Sequence, residues 1–102
     1  MVITVYGAEA PCPSCLHAPS SRETMEWIEA AVRRKFPDAP IHVRYIDIYE
    51  PETPEDEAFS RKILNDEYFY PLVVARGQVI GEGDPRLKTI FKFIEENLTE
   101  TA

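Results

Sequence analysis

The sequence predicts a small α/β domain, a mixed four-stranded sheet flanked by helices in the order β-α-β-α-β-β-α. Three observations predict it. Short β-branched apolar runs alternate with segments of helical period. The first two runs are separated by a helix, which makes them parallel through a right-handed crossover. The last two are separated only by the turn Arg76-Gly77, which makes an antiparallel hairpin. Parallel and antiparallel pairs together give a mixed sheet, and the helices are placed to cover its faces.

The elements follow in order. Val2 to Tyr6 is an apolar run of Val, Ile, Thr and Tyr ended by Gly7, and reads as a buried strand. Ser20-Ser21-Arg22-Glu23 resembles a capping box. Met25, Ile28, Val32 and Phe36 then fall on one helical face, and Pro37 stops the helix. Ile41 to Ile48 is β-branched and aromatic, a second strand. Thr53 stands as an N-cap with Pro54 at the first helical position and acids in the first turn, so the stretch from Glu50 to Glu57 reads as a helix start with a solvated face. Phe59 and Ile63 are the inward residues of this short helix. Leu72 to Ala75 and Gln78 to Ile80 are the arms of the hairpin. Asp84 and Pro85 open a last helix, whose Leu87, Ile90, Phe91, Ile94 and Leu98 share one face.

A chain of 102 residues is enough for one domain and too short for two, so residues 1–102 are expected to form a single unit. With 44% hydrophobic residues it can bury a core without metal or disulfide staples. No run of about 18 apolar residues is present, and the first residues read as a strand rather than a signal peptide. A cytoplasmic location is expected, where lasting structural disulfides are rare. The net charge of -7 argues against nucleic acid and against an anionic membrane as partners, and solubility explains it. A monomer is expected.

Cys12 and Cys15 enclose Pro13 and Ser14 after the first strand and before the first helix. If Cys12 caps a helical segment, Pro13 takes the position where a missing N–H costs nothing, and the amides of Ser14 and Cys15 face the Cys12 sulfur. A helix N-terminus there favours thiolate, which makes Cys12 the nucleophile and Cys15 the resolving thiol. Two-residue spacing lets the sulfurs join and separate. A zinc site built from Cys12, Cys15, His17 and His42 is the first alternative, but the spacing matches no common pattern. His17 is better placed as a loop residue and His42 as a solvated strand position. No metal and no cofactor is implied. Two further readings remain, a pair of small buried residues and a dithiol retained on a binding module.

Strand, Cys-x-x-Cys, helix, strand, helix and a strand opening at Pro71 resemble the thioredoxin fold. Tyr70-Pro71-Leu72-Val73-Val74, the Gly77 turn and Ile80-Gly81-Glu82-Gly83-Asp84 are similar in order and spacing to the proline strand, hairpin and Gly-rich helix start of glutaredoxins. Over essentially its whole length the chain looks like the YuzD-like group of short bacterial thioredoxin-like proteins. The resemblance implies a cis Tyr70-Pro71 bond beside Cys12, with Tyr70 and Pro71 presenting backbone to a substrate strand. It also implies that Gly81 and Gly83 admit a peptide or glutathione backbone, with the helix start at Asp84 receiving its carboxylate. Turn chemistry alone explains the two glycines equally well. Tyr68 and Tyr70 are expected to line a substrate groove, and Tyr45, Tyr49 and Phe69 to serve in packing.

Some features depart from the resemblance. Glu9-Ala10-Pro11 precedes the motif without the aromatic or basic residue of the relatives, the first strand holds no acid, and Pro19 interrupts the helix after the cysteines. The implied activity is thiol-disulfide oxidoreduction on a protein or low-molecular-weight thiol or disulfide. The alternatives are a non-catalytic interaction module, linked to iron–sulfur assembly, and carriage of a metal or cluster by Cys12 across a dimer.

Overall fold

A computed structural model describes residues 1–8, 20–83 and 85–98 of the chain. The elements are β1 (Val2–Gly7), α1 (Ser21–Lys35), β2 (His42–Asp47), α2 (Pro54–Leu64), β3 (Leu72–Ala75), β4 (Gln78–Glu82) and α3 (Leu87–Leu98). They form one four-stranded sheet in the order β2-β1-β3-β4. β1 runs parallel to β2, pairing Val2 with His42 through Gly7 with Asp47. β3 is antiparallel to β1 and to β4, with an irregularity in the second pairing between Val73 and Val74. Small α/β architecture and mixed strand directions are both as the sequence predicts.

Side chains alternate across the strands and so divide the core into two clusters. Ile3 and Val5 of β1 join Val43 and Val73 under Ile28 and Val32 of α1 and Ile90 and Ile94 of α3. Tyr6 and Ala8 join Ile46, Leu72 and Val74 under Ile63 of α2. The hairpin turns on Arg76 at φ 51° and Gly77 at φ 77°, both in the left-handed region that two-residue hairpins need. Ser20 and Thr53 are the N-caps, as the sequence predicts, but the reciprocal capping box is seen at Thr53. The Ser20 hydroxyl accepts from the Glu23 N–H, and Thr53 and Asp56 cap one another reciprocally.

Three expectations change. α3 begins at Leu87, with Pro85 and Arg86 outside it and the Ile90 N–H donating to Arg86 O. Pro85 lies against β4 instead, so close that a Cβ added at Gly81 would stand 2.8 Å from its Cβ. β4 correspondingly runs on to Glu82. The acidic stretch that opens α2 is not all solvated, because Asp56 is completely buried. Nor do Tyr49 and Phe69 pack inside; both are exposed. Among the described residues, no helix is long and apolar enough to cross a membrane.

Candidate functional site

Cys12 and Cys15 lie outside the described residues, as do His17, Pro19 and Asp84. The residues on either side of the cysteine segment are described, and they converge. Gly7 ends β1 against Ser21, the first residue of α1. A Cβ on Gly7 would overlap Ser21 Cβ and Oγ, and it would stand 3.3 Å from Tyr45 Cε1. Only glycine permits this approach. The described chain before residue 9 and after residue 19 therefore ends at one place in the fold, the C-terminal end of β1.

Strand register brings other predicted residues to the same end. Tyr6 pairs with Leu72, and Leu72 with Glu82. One step beyond these pairs stand Gly7, Pro71 and Gly83. The Gly83 N–H donates to Pro71 O at 3.0 Å, which fastens the entry of β3 to the exit of β4. The Tyr70-Pro71 peptide bond is cis, and Pro71 is buried. Gly83 has φ +70°, so the turn requires its conformational freedom. Gly81 is different. Pro85 and Val73 occupy the space beside it, so the structure accounts for this glycine by packing within the chain.

Of the aromatic residues at this end, Phe69 departs from expectation. Tyr68 and Tyr70 pack against the cluster that contains Tyr6 and Leu72, while Phe69 between them is 72% exposed. The Phe69 N–H donates to Glu82 Oε2 at 3.0 Å. His42 is exposed on its strand, as its alternation with Ile41 and Val43 predicts.

One charged network was missed from the sequence. Asp56, completely buried, accepts from the Tyr6 hydroxyl at 2.7 Å and from both terminal nitrogens of Arg44 at 3.2 and 2.9 Å. The Thr53 N–H donates to its second oxygen at 3.2 Å. Burial pushes the Asp56 carboxyl up, but the bonds from Arg44, Tyr6 and Thr53 outweigh it and hold the group below its ordinary value. Burial and the neighbouring carboxylate together push the Tyr6 phenol well above its usual range. A signal was present: Arg44 stands two residues before the inward Ile46, on the same face of β2, and a cation at an inward strand position needs an anion. Arg44 and Thr4 also line a cleft of about 390 Å³ with Glu55, Arg76 and Gly77. Among the described residues, none of those predicted for the site lines it.

Fold and site together define a small mixed α/β protein with a two-cysteine segment inserted between the first strand and the first helix. Residues 4–95 match the family described as "Protein of unknown function (DUF1462)". A Bacillus subtilis (strain 168) protein named "Putative disulfide oxidoreductase YuzD" is 45% identical over 98 residues, which cover 95% of this chain and 91% of that protein. The crystal structure of a protein of unknown function from Staphylococcus aureus, SA0789, superposes with a TM-score of 0.85. It is 35% identical, and the match covers 96% of this chain and 91% of the other. The chain belongs to this DUF1462 family of YuzD-like proteins.

Proposed function

We propose that this protein is a thiol-disulfide oxidoreductase acting from Cys12 and Cys15 on a thioredoxin-like scaffold. One observation carries the reading: the chain on both sides of the cysteine segment is pinned by the Gly7–Ser21 contact at the end of the sheet where Pro71 stands. The name of the B. subtilis relative, 45% identical, supports the same chemistry.

In the reducing direction, the Cys12 thiolate attacks one sulfur of a partner disulfide. A new S–S bond forms to Cys12, the partner's S–S bond breaks, and the other partner sulfur leaves as a thiolate that takes a proton from water. Cys15 then attacks the Cys12 sulfur as its thiolate and releases the second partner sulfur. The partner gains two electrons, and Cys12–Cys15 becomes a disulfide. An external dithiol returns that pair to the reduced state, and the same steps reversed oxidise a substrate. Tyr70 and Pro71 serve as the docking edge for the partner.

Two variants test this. Cys12→Ser should abolish turnover of a peptide disulfide. Cys15→Ser should accumulate a mixed disulfide with the partner, visible by mass spectrometry without reductant. Unchanged turnover in Cys12→Ser would overturn the assignment. Binding of one partner by both variants and wild type, with no turnover in any, would favour an interaction module instead.

A further inference from the structure

We infer that Phe69 selects the partner of this site, favouring a polypeptide disulfide with an apolar side chain beside its cysteine. The inference rests on the redox reading above. In Tyr68-Phe69-Tyr70, the two rings that carry hydroxyls pack onto the core, and the wholly apolar ring faces solvent with 72% of its surface exposed. Burial of apolar surface alone would place these three rings the other way round. An isolated exposed hydrophobe is ordinary on a protein surface, so exposure by itself says little. What distinguishes Phe69 is how firmly its backbone is held, and where.

Its N–H is taken by Glu82 Oε2 at 3.0 Å, and two residues later Pro71 O accepts the Gly83 N–H at 3.0 Å. Bonds on both sides therefore tie this stretch to the end of β4. A Cβ on Gly83 would stand 3.5 Å from Phe69 Cβ, so the bare glycine also leaves that flank open. The aromatic ring stands on backbone tied to β4 and has two side-chain torsions to order, which limits the entropy lost when a partner covers it. It stands two residues before Pro71, at the sheet end where β1 leads into the cysteine segment.

The same residues argue against glutathione as the preferred partner. Glutathione brings two carboxylates and no apolar side chain. Here it would meet the Glu82 carboxylate beside Phe69, on a chain of net charge -7. A polypeptide supplies the apolar side chain that the Phe69 ring can cover.

The test uses three oxidised probes on the full chain: two peptide disulfides that differ only by Leu or Ser beside the cysteine, and glutathione disulfide. Wild type should prefer the Leu peptide over the Ser peptide by about tenfold in kcat/KM, expressed in KM, as expected for one covered apolar side chain. In Phe69→Ser the preference should fall towards unity, and Phe69→Leu should restore most of it. Because the readout is a ratio between probes, general damage to the fold does not imitate it. Equal use of all three probes by wild type, or a preference that survives Phe69→Ser, overturns the inference and leaves the redox assignment standing. Inactivity of wild type towards every probe overturns the redox assignment and this inference with it.

Discussion

The Tyr6 hydroxyl donates to Asp56 Oδ1 across 2.7 Å, joining β1 to the first turn of α2 although the residues are 50 positions apart in the chain. Both side chains are completely buried. Arg44 closes the other side of the carboxylate through two bonds, and its third contact, to Thr4 Oγ1 at 3.2 Å, returns to β1. A buried charge is tolerated only when paired and hydrogen-bonded, and this one is met from β1, β2 and its own helix cap. The network fixes α2 over the second core cluster.

Removing its centre should be costly. Asp56→Asn leaves Arg44 without its anion and should lower stability by about 3–5 kcal/mol. The wild-type network also sets a pH dependence. Asp56 is held below its ordinary value in the fold, so its contribution is present above the unfolded carboxylate pKa of about 3.9 and is lost as pH falls through the lower folded value. Tyr6 is raised, so its contribution is present below about 10 and is lost as pH rises beyond that. Urea midpoints from pH 7 down to 3 should fall more steeply in wild type than in Asp56→Asn, and Tyr6→Phe should flatten the alkaline limb. Parallel curves in wild type and variants would contradict the assignment.

Gly7→Ala should be destabilising by at least about 1–3 kcal/mol, because the added methyl falls on the Ser21 side chain. Ser21→Gly removes the atoms it strikes. The double variant should therefore recover part of the loss, and thermal melting of the two single variants and the double one would show a favourable coupling. Strict additivity would mean that the two positions do not touch.

Much of this fold was legible in the sequence because local signals agreed with it. Thr53-Pro54 and the following acids mark the start of α2, and Ser20 with Glu23 marks the start of α1. What escaped was long-range. A capping residue such as Asp56 is satisfied equally well in solvent, so only the inward position of Arg44 betrays its burial. Three consecutive aromatics carry no period, and Phe69 therefore gives no local sign that it faces outward. Asp84-Pro85 reads as a helix start, yet α3 begins at Leu87 and Pro85 lies against β4, a long-range approach that Gly81 permits and no local signal announces. For the site, Tyr70, Pro71 and Gly83 meet at one end of the sheet, whereas Gly81 is explained by packing. The roles of Cys12 and Cys15 rest on spacing and resemblance. Both cysteines and Asp84 lie outside the described residues.

The most direct measurement of the central claim is a redox titration of the Cys12–Cys15 pair. The protein is equilibrated in defined glutathione or dithiothreitol buffers, and its alkylatable thiols are counted. We expect one two-electron transition at about -200 to -270 mV, the range of glutaredoxins and thioredoxin. A chain that forms no intramolecular disulfide at any poise would contradict a cycling dithiol and return the cysteine segment to a binding role.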